Sequence, residues 1–299
     1  MVVATGFFDG VHNGHRLVIK ALVDAARERG EQSCVITFWP HPRNVLQQEA
    51  HSLRLLNSLA EKKKLLADLG VDCVEVLPFT KEFSRMTAAE YLQTYVKDKF
   101  GGSAIVVGYD NRMGHDSEDS CDAVVAAEKM GLDVIRTRVV SSQSGMAVSS
   151  TKIREALKAG DVKEAASMLG YPYFLYGVVV SGNRIGRTLG FPTANMQLYE
   201  PLKIVPGNGV YAVEVEALGR KYHGMCNIGN RPTVARDNAR TIETNIFDFN
   251  EDIYGLDISL RFISRIREEV NFGSLEALKY QLQQDRLVCT ELMDAYGRL

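Results

Sequence analysis

The sequence predicts an α/β domain with a doubly wound parallel sheet, followed by a small antiparallel β-barrel that ends in a C-terminal helix. In the first half, apolar strand-like runs alternate with helical patterns at the spacing of βαβ units. After Gly170 and Pro172 the runs are shorter, and Gly, Asn and Pro turns separate them. We therefore expect a first domain over residues 1–170 and a second over residues 171–299.

The first half contains five strand-like runs with helical patterns between them. Capping boxes at Ser58/Glu61 and Thr87/Glu90 mark the starts of two helices, and a further helix is expected near 121–130. In parallel sheets of this kind, ligands bind at the carboxyl ends of the strands, beside helix N-termini. The strand-like runs lie at 2–4, 34–38, 71–77, 104–108 and 134–140.

The second half begins after two short helices, which are expected at 152–159 and 162–169. A C-terminal helix is expected from Ser274 onward. Between them lie four short strand-like segments, of which the second and fourth alternate clearly between apolar and polar residues. These segments are FLYGVVV (174–180), GVYAVEVEA (209–217), YHGMCNI (222–228) and DISLRFI (257–263).

Composition excludes several classes of protein. The 299 residues are 45% hydrophobic, which is enough for two full cores, and 35 basic against 37 acidic residues give a net charge of −2. A nucleic-acid-binding protein would usually show a basic excess. Five scattered cysteines, an odd number, predict reduced core thiols, and no signal peptide or apolar run of about 18 residues is present. We expect a cytoplasmic protein, monomeric or weakly homo-oligomeric, without nucleic-acid or membrane partners.

The first candidate site is GFFDGVHNGH, residues 6–15, a turn between a strand and a helix. His12 and His15 are three residues apart and share one face of the first helical turn, with Gly14 between them. The helix N-terminus adds free N–H groups and a positive dipole. This combination favours binding of a nucleoside triphosphate, because transfer of a group from its phosphates needs mainly positioning and charge stabilisation. The alternative is that each histidine is an ordinary structural residue.

A second segment, VSSTKIREAL (148–157), begins a helix with three hydroxyl side chains. Ser149, Ser150 and Thr151 can donate to phosphate oxygens, and Lys152 or Arg154 can neutralise their charge. Serine and threonine are also common N-caps, so this segment supports a phosphate site only together with the histidine turn.

The second candidate site is GNRIGRTLGFPTAN, residues 182–195, which lacks the Gly-Lys-Ser/Thr ending of a Walker P-loop. Thr193 and Asn195 point the same way if the segment is extended. A hydroxyl and an amide oxygen at these positions can hold Mg²⁺ and phosphate oxygens. The alternative is a mobile glycine-rich turn.

The first half resembles the H-x-G-H nucleotidyltransferase superfamily, in the branch of prokaryotic FAD synthetases. Besides the histidine turn and SSTKIR, the matching segments are TFWPHPR (37–43), FSRMTAAEYL (83–92) and VVGYDNRMG (106–114). The resemblance implies that FMN phosphate attacks the α-phosphate of ATP, giving FAD and pyrophosphate, with His12 and His15 as catalytic residues. It implies an ATP site made of Gly6, Phe7, Phe8, Asp9, Gly14, Asp110, Ser149, Ser150, Thr151 and Arg154.

The second half resembles the riboflavin kinases, which form a six-stranded barrel. The matching segments are the glycine-rich loop, GVYAVEV (209–215), NIGNRPT (227–233), ETNIFDF (243–249) and RIREEVNF (265–272). The resemblance implies that Glu243 is the base that takes the proton of the riboflavin 5′-hydroxyl as it attacks the γ-phosphate. It also implies an ATP site at Gly182, Gly186, Arg187, Thr193 and Asn195, with Mg²⁺ held by Thr193 and Asn195.

Our leading interpretation is a bifunctional enzyme that converts riboflavin to FMN and then to FAD, with ATP as co-substrate. One alternative keeps only the kinase, because Asn111 and Met113 replace two aromatic residues of the family loop and HDSEDS (115–120) follows. A second alternative is a flavin- or nucleotide-binding regulator without turnover. A class I aminoacyl-tRNA synthetase also has a His-Gly-His turn, but this chain lacks a K-M-S-K-S-type loop.

Overall fold

The structure is a computed structural model that describes residues 1–46, 54–108, 120–137, 148–182, 185–230 and 240–297. By its contacts the chain divides into two compact units, Met1–Ser150 and Thr151–Leu299. The division places residues 151–170 with the second unit, whereas the boundary near residue 171 stays a prediction. The predicted helix near 121–130 is present as Ser120–Lys129.

The first unit is an α/β domain built on a five-stranded parallel sheet in the order β3-β2-β1-β4-β5. The chain goes from the central β1 to β2 and β3 on one side, then to β4 and β5 on the other. The strand order therefore reverses between β1 and β4, which is where such sheets bind ligands. The strands are β1 (Val2–Thr5), β2 (Ser33–Trp39), β3 (Cys73–Pro78), β4 (Ala104–Val107) and β5 (Asp133–Arg136).

Helices cover both faces of this sheet. Alternate residues of β1 point to opposite faces, so Val3 belongs to one hydrophobic core while Val2 and Ala4 belong to the other. The capping boxes predicted at Ser58/Glu61 and Thr87/Glu90 are both formed. The helices are α1 (Asn13–Arg29), α2 (Pro42–Leu46), α3 (Leu59–Asp68), α4 (Ala88–Tyr91, continued with π-helical hydrogen bonding through Leu92–Lys99) and α5 (Ser120–Lys129), with a 3₁₀ turn at Phe83–Arg85.

The second unit contains a closed antiparallel barrel of six strands in the order β10-β7-β6-β11-β8-β9. The six strands confirm the expected barrel, and β7 and β10 carry Asn195 and Glu243 of the predicted kinase site. The strands are β6 (Phe174–Val180), β7 (Ala194–Leu198), β8 (Gly209–Ala217), β9 (Arg220–Asn230), β10 (Arg240–Ile246) and β11 (Asp257–Arg267).

Four helices complete the second unit. The long C-terminal helix packs on the barrel through Cys289 and Met293, which join Phe191, Val210 and Met225 in one core. None of the helices in the described ranges is long and apolar enough to cross a membrane. The helices are α6 (Ser150–Ala159, whose first residue belongs to the first unit), α7 (Val162–Leu169), α8 (Ile185–Thr188) and α9 (Leu275–Tyr296).

Candidate active sites

The histidine turn lies at the carboxyl end of β1, where the strand order of the sheet reverses. Its backbone is unusual, because Phe8 (φ 48°) and Val11 (φ 38°) both lie in the left-handed region together with Gly10 (φ 86°). A β-branched residue such as valine strongly disfavours that conformation. Strained backbone that the surrounding fold enforces is typical of functional turns.

His12 caps helix α1, a role usually taken by Ser, Thr, Asp or Asn. Its Nδ1 accepts a hydrogen bond from the backbone N–H of His15 at 3.3 Å. A neutral imidazole whose Nδ1 accepts carries its proton on Nε2. The cap therefore fixes His12 in the tautomer that can donate from Nε2 to a phosphate oxygen.

His15 stacks on His12 with ring centroids 3.6 Å apart, and its other side meets the edge of Phe8 at 5.2 Å. Desolvation lowers the pKa of His15 well below its ordinary value, and electrostatic interactions with His12 and Lys62 lower it further. His15 is therefore a neutral imidazole near pH 7. Its Nδ1 is buried and has no hydrogen-bond partner within the described residues, as expected of an atom that binds a ligand.

Asp9 and Ser150 tie neighbouring segments to the turn. The buried carboxylate of Asp9 accepts hydrogen bonds from the backbone N–H groups of Leu56 and Asn57, at 3.2 Å each. The Ser150 hydroxyl donates to the carbonyl oxygen of Asp9 at 2.9 Å. Asp9 thus positions the segment that leads into α3, and its predicted contact with ATP stays a prediction.

The glycines and phenylalanines of the turn have local packing roles. A Cβ on Gly14 would lie 3.1 Å from Cε1 of His12, so the missing side chain makes room for that imidazole rather than leaving open space. A Cβ on Gly6 would lie 3.2 Å from the ring of Phe8. Phe7 packs against Phe38 with ring centroids 5.0 Å apart. Their predicted contacts with ATP stay predictions.

The remaining predicted adenylyl-site residues lie at the start of α6 or outside the described residues. Ser149 and Ser150 are half-buried at the N-terminus of this helix. Thr151 is exposed and Arg154 is buried, one turn further along. Asp110 and residues 111–119 of the altered loop lie outside the described residues.

Sequence reasoning missed Lys62, which is buried near the histidine turn. Its ammonium lies 3.4 Å from the hydroxyl of Thr37 on β2. Desolvation lowers the pKa of Lys62 to about 8, although the charge of Asp9 opposes this shift. The run Glu-Lys-Lys-Lys looks like a solvated face, but Lys62 is four residues before buried Leu66 and therefore shares its face.

In the second unit, Glu243 lines a cavity of about 540 Å³. Glu243 is half-buried on β10, and Asn245, two residues on, lines the same cavity. The amide N–H of Asn245 donates to the carbonyl oxygen of Pro192 at 2.7 Å and so positions the segment before β7. Apolar residues make much of the remaining wall, including Leu189, Phe191, Val210, Met225, Phe272 and Leu282.

Barrel closure brings the glycine-rich loop to Glu243. Asn195 on β7 pairs directly with Glu243 on β10, an antiparallel pairing between segments far apart in the sequence. A Cβ on Gly182 would overlap the amide of Asn195, and a Cβ on Gly186 would overlap the carbonyl group of Phe191. Both glycines are therefore needed for close approach of the loop to β7.

Thr193 lies between two cavities. It lines the one that contains Glu243 and also a second one of about 330 Å³, whose wall includes exposed Arg187 and residues 249–254. The larger cavity, with Glu243 on a largely apolar wall, and the smaller one, with Arg187 on a wall of mixed polarity, thus meet at one hydroxyl. This arrangement suits an apolar acceptor and a phosphate donor that react where the two cavities meet.

The donors present fit a magnesium ion. Oδ1 of Asn195 is buried and has no hydrogen-bond partner within the described residues, and neutral oxygen atoms of this kind are ligands that Mg²⁺ accepts. Mg²⁺ is usually held by one or two protein groups together with substrate phosphates. The described residues contain no group of three or more His, Cys, Asp or Glu side chains that could hold a metal by themselves.

Comparisons with known proteins agree with this geometry. The FAD synthetase family model matches residues 1–152, and the riboflavin kinase model matches residues 169–293. A bifunctional riboflavin kinase/FMN adenylyltransferase from Listeria monocytogenes is 36% identical over 95% of this chain and 90% of its own length. The Escherichia coli K12 protein of the same name is 37% identical over 97% and 92%. A Streptococcus pneumoniae crystal structure, named a macrolide-efflux protein, superposes with a TM-score of 0.89 at 36% identity, over 97% of this chain and 93% of that one.

Fold, sites and family models together define a two-domain, ATP-dependent transferase that acts on flavins. The chain belongs to the family of bifunctional riboflavin kinase/FMN adenylyltransferases.

Proposed function

We propose that this chain makes FAD from riboflavin in two ATP-dependent steps, with Glu243 as the base of the first step and His12 and His15 as the phosphate-binding residues of the second. The observation that carries the proposal is that one chain holds both a strained histidine turn at a sheet switch point and a carboxylate at the cavity of a closed barrel. The first site suits a nucleoside triphosphate, and the second suits an apolar substrate with a hydroxyl group.

In the kinase step, the 5′-hydroxyl of riboflavin attacks the γ-phosphorus of ATP. Glu243 takes the hydroxyl proton, the bond between the γ-phosphorus and the bridging oxygen breaks, and ADP leaves. Gly182, Gly186, Arg187, Thr193 and Asn195 form the proposed phosphate site of this step. Bound Mg²⁺ would neutralise phosphate charge, and Thr193 and Asn195 would hold it.

In the adenylyl step, a phosphate oxygen of FMN attacks the α-phosphorus of ATP, and the bond to the pyrophosphate oxygen breaks. His12 donates from Nε2 and His15 acts as a neutral donor, so that both stabilise charge on the phosphates as pyrophosphate leaves. Ser149, Ser150, Thr151 and Arg154 at the start of α6 are proposed to complete this site, and Asp110 to lie near the nucleotide.

The kinase-only alternative is not favoured, because the FAD synthetase model matches residues 1–152 and the turn that bears both histidines is fully formed. We further propose that the enzyme works in the cytoplasm. The free state of Cys34, Cys73, Cys226 and Cys289 supports this placement.

The experiment that tests the proposal is a time course with purified protein, riboflavin and Mg-ATP, in which the flavins are separated by chromatography. FMN is expected first and FAD after it, with ADP and pyrophosphate as the other products. Accumulation of FMN without FAD would leave a riboflavin kinase alone. No conversion would favour a binding protein without turnover.

A further inference from the structure

The buried Lys62 is the feature of the first unit that the family motifs do not explain. It lies in the first half of α3, and its backbone N–H donates to the carbonyl oxygen of Ser58 in the regular helical pattern. Its neighbours on the helix face outward, since Lys63 and Lys64 are exposed and Lys64 pairs with Asp68. Only 3% of the Lys62 surface is exposed.

A buried ammonium normally has close hydrogen-bond partners for its three N–H groups. Within the described residues, the Lys62 ammonium makes one hydrogen bond, the 3.4 Å contact with Thr37, which is long for this type of bond. The hydroxyl of Thr37 in turn donates to the carbonyl oxygen of Phe7 in the histidine turn. Lys62 is therefore held beside the turn, and most of its ammonium N–H groups make no hydrogen bond to the described residues. Buried donors without acceptors are rare in proteins and often have a functional reason.

The charges around Lys62 also point to an anion. Asp9 favours the charged ammonium, while that ammonium helps to keep His15 neutral. The carboxylate of Asp9 already accepts backbone hydrogen bonds from residues 56 and 57, immediately before α3. Asp9 thus anchors the segment before α3, the helix that carries Lys62, and Lys62 lies close enough to His15 to act on its pKa. A neutral His15 with a positive charge close by is suited to stabilising negative charge that develops on a phosphate.

We propose that Lys62 supplies a buried positive charge to the adenylyl site, where it stabilises the ATP phosphates that become pyrophosphate. The inference rests on the proposed adenylyl transfer, and it adds a charged residue of the first unit to the imidazoles of the histidine turn. Lys62 does not exchange a proton in the reaction. It acts by its charge, and it acts only while it is protonated.

The proposal predicts a particular pH dependence. A lysine whose pKa is lowered to about 8 carries its charge below that pH and loses it as the pH rises through that value. The kcat/KM for ATP reports the free enzyme, so it should fall above about pH 8. The titratable groups that interact with Lys62 are Asp9 from the turn and His15 from α1, while the contact from β2 is the uncharged Thr37.

The test measures FAD formation from supplied FMN and Mg-ATP between pH 6 and 10, in wild type, Lys62→Gln and Lys62→Arg. Lys63→Gln is the matched control, because it removes an exposed lysine from the same helix. Lys62→Gln should lower kcat/KM for ATP by about ten- to hundredfold, the range for losing one hydrogen bond to a charged group. Lys62→Arg should keep more activity at neutral pH and should not lose it above pH 8, since arginine stays charged.

Riboflavin phosphorylation in the same proteins is the internal control, since the residues proposed for it all lie in the second unit. It should be unchanged in all three variants. Two results would overturn the proposal. One is a Lys62→Gln enzyme that forms FAD within twofold of the wild-type rate. The other is a Lys62→Arg enzyme that forms FAD normally and keeps the wild-type pH profile. Loss of both activities in Lys62→Gln would indicate a structural role instead.

Calorimetric titration with Mg²⁺ and α,β-methylene-ATP separates this inference from the adenylyl step itself. Wild type should bind the analogue at two sites, and Lys62→Gln should weaken one of them at least tenfold while Lys63→Gln weakens neither. If wild type forms no FAD but Lys62→Gln still weakens one site, the proposed adenylyl transfer fails and the role of Lys62 stands. If wild type forms FAD and Lys62→Gln binds the analogue normally, the proposed role of Lys62 is wrong and the proposed adenylyl transfer stands.

Discussion

At the scale of single residues, substitution of Glu243 tests the kinase step directly. Replacing Glu243 by Gln removes the proton acceptor but keeps the size of the side chain, so FMN formation from riboflavin should fall by about a hundred- to ten-thousandfold. FAD formation from supplied FMN should not change. Glu216→Gln, which alters an exposed carboxylate on β8, is the matched control. A Glu243→Gln enzyme that phosphorylates riboflavin at the normal rate would remove Glu243 from the role of base.

Single residues also mark the limit of what the sequence predicted. His12, His15 and Glu243 were predicted because short motifs surround them; the structure places the two histidines in the strained turn and Glu243 on a cavity wall, and their roles stay predictions. Lys62 was missed, because three consecutive lysines on a helix usually face solvent. Its burial depends on Asp9 holding residues 56 and 57, which is a tertiary contact across about 50 positions of sequence.

At the scale of secondary structure elements, the C-terminal helix α9 is held to the barrel by an ion pair between buried Asp285 and partly buried Arg267. Asp285 on α9 accepts three hydrogen bonds from the guanidinium of Arg267, at 2.7–3.0 Å, and a further one from Gln281. Arg267 lines the cavity of Glu243 and lies 5.6 Å from the ring of Phe272 on the same wall. The pair therefore connects the packing of α9 to the shape of the proposed riboflavin site.

Replacing Asp285 by Ala leaves the Arg267 charge without its partner, and because Arg267 is 20% exposed, the cost should be at the low end of that for breaking a buried pair, about 3 kcal/mol. Backbone amides of α9 should then exchange with solvent roughly a hundredfold faster, and KM for riboflavin should rise. Hydrogen exchange followed by mass spectrometry measures the first effect. Arg286 lies on the same helix, and Arg286→Ala breaks its exposed pair with Asp248. This change should cost about 1 kcal/mol or less. Equal exchange rates in the two variants would show that Asp285 does not hold α9.

The elements also show why the sequence predicted the α/β unit in more detail than the barrel. In the first unit, α3 and α4 have capping boxes and β1, β2 and β4 are buried on both faces, so local sequence patterns identify these elements. In the barrel, β7 has five residues and follows a glycine-rich loop, and its alternation is weak. The pairing of Asn195 with Glu243 exists only because the barrel closes, and no local pattern contains that information.

At the scale of the whole molecule, the two proposed activities share a flavin but not their named catalytic residues. His12 and His15 lie in the first unit and Glu243 lies in the second. His15→Ala should therefore accumulate FMN from riboflavin, because only the adenylyl step loses a phosphate contact. Glu243→Gln should form FAD only when FMN is supplied. The activity that each variant retains shows that the protein is folded, so each variant serves as a control for the other.

Mixing the two variants then tests whether FMN moves freely between molecules. FMN made by the His15→Ala protein is expected to dissociate, bind the Glu243→Gln protein and become FAD, so the mixture should regain FAD formation from riboflavin and Mg-ATP. Its rate should rise with the concentration of the Glu243→Gln protein, since transfer between molecules is bimolecular. If each variant keeps its remaining activity but the mixture forms no FAD, FMN does not pass through solution, and both steps must be completed on one chain.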